Sequence, residues 1–190
     1  MPRLVFIFFF VFFAKFAINQ PVKIVIMHPT EKNIDNLLWL LQNKIIPINE
    51  YELIGFYHTD ETYDYSQVEQ RPGVRFIACQ GEISDSVVFQ KNACSPDFQK
   101  VFEMADAILF HGGPDIPPVI YGEKTHVTTE ITDPARHFFE ISFLFHLVGS
   151  IKNTSQQALL TNKPKMLVWC FCLGMQSLNV ATGGTLWQDI

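Results

Sequence analysis

Cys172 stands in Trp169-Cys170-Phe171-Cys172-Leu173-Gly174-Met175-Gln176, between a short apolar run and a stretch of helical character. A cysteine at a strand-to-helix corner sits at the helix N-terminus, where unpaired backbone N–H groups favour the thiolate and can hold an oxyanion. The chemistry this suits is acyl transfer through a thiol nucleophile. A buried structural cysteine is the plain alternative for a single Cys after a strand. A second segment points the same way: Ala107-Ile108-Leu109-Phe110-His111-Gly112-Gly113-Pro114-Asp115 is an apolar run ending in a glycine pair, which lets backbone approach a ligand closely. Two strand ends facing one crevice are expected.

The elements that must position these residues alternate along the chain. Lys165 to Trp169 reads as a short buried strand, and Leu173 to Ala181 as a helix closed by Gly183-Gly184. Upstream, Val22 to Met27 reads as the first buried strand, followed by a helix over Asn33 to Asn43 with Leu37, Leu38, Leu40 and Leu41 on its inner side. Tyr51 to Tyr57 and Val74 to Ala78 read as further strands around a polar loop, Asp60 to Gly73. Ser95-Pro96-Asp97 starts a helix with Ser95 as cap, ending near Ala105 before the Ala107 to Phe110 strand. After an irregular stretch to Glu130, Asp133 caps a helix that Gly149 ends, and Ser150 to Lys163 is a polar connection. This order predicts an α/β domain: a mostly parallel sheet with helices on both faces, whose ligands sit at the carboxyl ends of strands.

Several motifs in order then resemble a known family. His111-Gly112-Gly113-Pro114-Asp115-Ile116, Tyr121-Gly122-Glu123, Arg136-His137-Phe138-Phe139-Glu140, Cys172 to Val180, and Gly183 to Asp189 look like the peptidase C26 branch of class I glutamine amidotransferase-like proteins, which includes gamma-glutamyl-gamma-aminobutyrate hydrolases. The match is dense from Asp106 to Ile190 and thin before it. The resemblance implies a flavodoxin-like three-layer sandwich, here expected without its C-terminal strands, and hydrolysis of a gamma-glutamyl amide by a Cys-His-Glu triad. Carried over by position, Cys172 matches the nucleophile, and the backbone of Leu173, Gly112 and Gly113 matches the oxyanion-binding groups. Tyr121, Arg136, Glu140 and Gln176 match segments beside the substrate. For Arg136 and Glu140, four apart on a helix, a surface ion pair worth a few tenths of a kcal/mol is the equal alternative.

Three departures set this chain apart. The family's His and Glu follow the nucleophile, whereas His28, His58, His111, His126, His137 and His146 all precede Cys172. Cys170 stands where the family usually has glycine, and its side chain is expected to crowd the turn. His111 and His137 replace a usual proline and aspartate. The first departure matters most. A thiol of pKa ~8.5 is a few per cent thiolate at neutral pH, and a helix terminus worth about 1 kcal/mol shifts that by less than one unit. Without a histidine, general acid–base help of roughly 100-fold to 10,000-fold is missing. Little or no turnover is expected from these residues alone.

The chain's 190 residues, 48% hydrophobic and 17% charged, argue for one globular domain over 20–190 and against disorder. A formal charge of −5 with no basic stripe excludes a nucleic-acid footprint. No phosphate loop or dinucleotide fingerprint is present, so no cofactor is implied. Arg3 precedes an apolar run from Leu4 to Phe13, of signal-peptide length and short of the about 20 residues a spanning helix needs. Residues 1–19 are therefore expected to be a signal peptide or N-terminal anchor of an exported protein, periplasmic or secreted, with membrane contact only through an uncleaved segment. Export would leave Cys79 and Cys94 either paired across a loop or as buried thiols. Cys170 and Cys172 lack the further ligands of a metal set, so no metal is expected. The leading reading is a gamma-glutamyl amide hydrolase acting on a small molecule, with triad His and Glu absent from these residues. The rival is a non-catalytic amidotransferase-like binding domain.

Overall fold

Alternating side chains on β1 (Val22–Met27) define the two sides of the molecule. Ile24 and Ile26 face α1 (Glu31–Gln42), packing with Ile34, Leu37 and Leu41, while Val25 and Met27 join the larger core on the opposite face. That core also takes residues from β2 (Tyr51–His58), β3 (Val74–Cys79), α2 (Ser95–Met104), β4 (Ala107–Phe110), α3 (Pro134–Val148) and α4 (Leu173–Thr182). With β5 (Leu167–Cys170) the strands form one all-parallel sheet of order β3-β2-β1-β4-β5. The result is an α/β flavodoxin-like arrangement, seen in a computed structural model that describes residues 20–188. The expected export segment, 1–19, lies outside the described residues. Among those described, no helix is long and apolar enough to cross a membrane.

The strand order reverses between β1 and β4, so a crevice opens at their carboxyl ends, where open parallel sheets bind ligands. A cluster of phenylalanines fixes α3 behind it. Phe139 lies edge-on to Phe56 of β2 at 4.9 Å, and Phe98 of α2 stacks on Phe143 at 4.9 Å. Such pairs contribute about 0.5–1.5 kcal/mol each beyond area burial.

Three local expectations need correction. The α1 cap is Thr30, whose Oγ1 accepts the Asn33 N–H, so the helix begins two residues earlier than expected; Leu38 and Leu40 are only half-buried, and Ile34 is buried instead. Cys94 occupies the α2 cap position, because Ser95 is already helical and its hydroxyl accepts from Asn92 N and meets His146 Nε2 at 2.8 Å. The last strand is not buried. Leu167 and Trp169 are 53% and 38% exposed, since among the described residues β5 pairs with β4 alone.

α3 buries polar groups as well as apolar ones, Arg136, His137, Glu140, Ser142 and His146 among them. His137 is fully buried and neither ring nitrogen has a partner. An unpaired buried polar group costs about 1–3 kcal/mol. His137→Leu is therefore expected to stabilise the protein by about 1–2 kcal/mol, read as a higher urea midpoint at unchanged slope. A lower midpoint would show that the imidazole has a partner in solution.

Candidate active site

The chain turns from β5 into α4 at Cys172, which has φ 49° and ψ −112°. A non-glycine residue held there carries about 1–3 kcal/mol of strain, which such corners sustain when the surroundings over-determine them. Here Phe171 N–H donates to Phe110 O at 2.8 Å, and Gly174 N–H and Met175 N–H donate to Phe171 O and Cys172 O at 2.8 and 3.0 Å. Gly174 is required sterically, because a Cβ there would lie 2.6 Å from Phe110 O. The thiol of Cys172 is thereby left exposed, and its neighbour Leu173 puts its N–H in the first turn of α4, with no intrahelical partner. Cys170 does not crowd the turn. It packs against the core, and burial pushes its thiol up to about 12, which removes it as a rival nucleophile.

Gly112 lies directly beside the cysteine: a Cβ on it would be 3.4 Å from Cys172 Cβ and 3.7 Å from Sγ. Gly113 sits over Arg136, whose guanidinium would occupy the place of any Cβ there, and Arg136 Nη2 donates to Gly112 O at 3.0 Å. Arg136 is thus a buried support of the glycine turn, and the surface ion-pair reading is excluded. Glu140 is corrected more strongly. It is fully buried, 2.8 Å through Oε2 from His28 Nε2 and 3.8 Å from Arg136 Nη2, so it supports other groups and does not meet a substrate.

Glu140 belongs to a buried charge chain with His28 and Glu61, which sequence reasoning did not single out as its partners. His28, with positive φ at the end of β1, meets Glu61 Oε2 through Nδ1 at 2.8 Å. Glu61 also accepts from His58 N at 2.7 Å and from the Tyr65 hydroxyl at 2.6 Å. Burial opposes the charge on His28, but Glu61 and Glu140 outweigh it and raise its pKa. Burial likewise opposes ionisation of Glu140, yet His28 and Arg136 hold the carboxyl down at about 2. Two carboxylates and two cations thus balance, and their last link holds Gly112.

A cavity of about 540 Å³ opens at this chain's surface, with the polar side chains of His28, Lys32, Glu61, His111, Asp133 and Arg136 among its lining, beside Gly112 and Gly113. A narrower cleft of about 180 Å³ is lined by Asp115, Tyr121, Gln176 and Trp187. The expected site residues are therefore divided. Gly112, Gly113 and Arg136 share the larger cavity, Tyr121 and Gln176 share the smaller, and Cys172 stands against Gly112. None of the six histidines hydrogen-bonds Cys172 among the described residues. His111 stacks on Phe171 at 6.0 Å, and burial lowers its pKa to about 4. One group of potential metal ligands occurs among the described residues, His58 with Cys79 and Cys94, remote in sequence from Cys172.

The peptidase C26 family model matches residues 53–190. A glutamine amidotransferase-like protein, the YvdE homolog of Lactococcus lactis subsp. cremoris, is 33% identical over 115 residues, 60% of this chain and 54% of its own length. YvdE of Lactococcus lactis subsp. lactis, likewise described as glutamine amidotransferase-like, is 30% identical over 135 residues, 66% of this chain and 51% of its length. Protein NtpR of Enterococcus hirae is 34% identical over 88 residues, 46% of this chain and 31% of its length. The chain spans about half the length of the first two curated relatives. With the family model matching well over half of the residues, the chain belongs to the peptidase C26 family.

Proposed function

We propose that this protein is an exported hydrolase of gamma-glutamyl amides that works through Cys172 and an acyl-enzyme intermediate. The observation that carries the reading is the exposed Cys172 thiol on a strained corner, with Gly112 against it. In this reaction the Cys172 thiolate attacks the amide carbonyl. The resulting oxyanion takes hydrogen bonds from the Leu173 N–H and the glycine turn, the amine departs with a proton, and water releases glutamate from the thioester. The larger cavity supports the glutamyl assignment, since Arg136 and Lys32 with Glu61 and Asp133 offer both signs of charge to an amino-acid head group. No cofactor enters these steps.

The same geometry favours a second reading at one point. No described histidine hydrogen-bonds the Cys172 thiol, which fits a binding domain that holds a glutamyl ligand without turning it over. Turnover then needs a histidine–carboxylate pair from further polypeptide, and without it the rate is expected to be lower by roughly 100-fold to 10,000-fold. Treatment with a glutamine-like electrophile separates the readings from error. One equivalent of adduct on Cys172, absent in Cys172→Ala, supports the nucleophile in either state of completeness. Modification of Cys170 in preference would overturn the assignment. Release of amine from a gamma-glutamyl amide then decides between hydrolase and binder.

A further inference from the structure

Away from Cys172, β3 and α2 bring a second pair of cysteines together. Cys79 ends β3 and Cys94 caps α2; both are free and fully buried. Their sulfurs and a ring nitrogen of His58 lie within 4.8 Å of one another. Two chemistries fit two thiols and an imidazole, a metal site or a disulfide, and His58 decides between them. Its Nδ1 accepts the Asp60 N–H at 3.1 Å, and its Nε2 donates to Gly81 O at 2.7 Å. Neither nitrogen keeps a lone pair for a metal, and two thiolates alone do not make a zinc set.

Oxidation, by contrast, orphans nothing. The Cys94 thiol donates to Gly81 O at 3.3 Å, and that carbonyl keeps its bond from His58 when the thiol proton is lost. We propose that Cys79 and Cys94 are a redox pair that closes into a disulfide, tying the end of the outer strand β3 to the start of α2. The two positions are 15 residues apart. The connection between them carries one short 3-10 turn, Asp85–Val87, and β3 lies at the sheet edge, so local opening gives an oxidant access. Cys94 is the attacking thiol, because it sits at the α2 N-terminus, where a thiolate is favoured. A hydrogen bond from Cys79 also holds its pKa below the ordinary thiol range.

The reaction is balanced by a low-molecular-weight disulfide such as glutathione disulfide. The Cys94 thiolate attacks one of its sulfurs and releases one glutathione thiolate. Cys79, giving up its proton, then attacks the Cys94 sulfur of the mixed disulfide and releases the second glutathione. Two protein thiols become one disulfide as glutathione disulfide becomes two thiols.

The test is incubation of the full chain with glutathione disulfide, followed by alkylation in denaturant and peptide mass analysis. Loss of Cys79 and Cys94 from the alkylated cysteines, a cross-linked peptide joining their segments, and a melting temperature higher by about 5–10 °C are expected. The cross-link should persist in Cys172→Ser and vanish in Cys79→Ser. Four alkylated thiols, a Cys170–Cys172 link, or glutathione retained on Cys94 or Cys79 as a mixed disulfide would overturn the proposal. So would a cobalt(II) complex with thiolate charge-transfer absorption that Cys79→Ser abolishes.

Discussion

Replacing Glu140 with alanine should cost about 3–5 kcal/mol of stability, the usual penalty for breaking a buried ion pair by removing one partner. The cause is what stays behind. His28 and Arg136 are both buried, and with Glu140 gone their two positive charges would be answered by Glu61 alone. Against a total stability of ordinarily 5–15 kcal/mol, the loss is large enough to populate unfolded chains at ambient temperature. Glu140→Gln keeps the volume and an acceptor, so a smaller loss is expected. Because Arg136 also holds Gly112 O, the glutamine variant should fold yet react more slowly at Cys172 with a glutamine-like electrophile. Urea titration measures the first effect and labelling rate the second. An alanine variant within 0.5 kcal/mol of the parent, a threshold taken from ordinary surface substitutions, would mean that Glu140 is not charged in the native protein.

Acid should destabilise the protein between about pH 6.5 and pH 4, well above the range in which Glu140 titrates. Burial lowers His111 and His137 from 6.5 to about 4. In that window the unfolded chain binds protons that the folded one refuses, so stability falls as pH falls. Each shift corresponds to about 3 kcal/mol at full effect, and together they approach the stability of a whole domain. Glu140 does not contribute there, since a carboxyl held at about 2 gives stability that is full above its ordinary value of 4.5 and is lost below it. His28 acts in the opposite direction. Its raised pKa gives stability that is complete below the ordinary value and is lost as pH rises through the folded one. Maximum stability near neutrality is the expected outcome, and thermal melts from pH 8 to pH 4 check it. The His137→Leu variant should flatten the acid limb by roughly half. An acid limb unchanged by that substitution would assign the proton uptake elsewhere.

Features that depend on neighbours in sequence are legible in the sequence itself. The Cys172 corner, the Asp133 cap and the Gly149 and Gly183 helix ends are of this kind. So is the glycine pair after β4. Each is a backbone requirement met within a few residues: a donor to satisfy, a positive φ to adopt, or a Cβ that would collide. The strand–helix alternation likewise implied a parallel sheet, because parallel strands need crossovers that hairpins do not.

What escaped was most of the polar pairing between distant residues. Arg136 and Glu140 read equally as a surface pair or as substrate contacts, because a spacing of four places two side chains on one helical face without saying what covers that face. Asp60 to Gly73 looked like a polar loop, although Glu61 closes a charge chain with His28, 33 positions away. Leu167 and Trp169 looked buried because an apolar run records composition and not the number of neighbouring strands. The amino-acid order by itself determined the elements, most of their ends and the corner that carries Cys172, since these are set largely by local sterics and hydrogen bonding. Only the tertiary structure decided which polar groups are desolvated together and how the site residues divide between two cavities, because burial and electrostatic pairing are properties of the assembled layers.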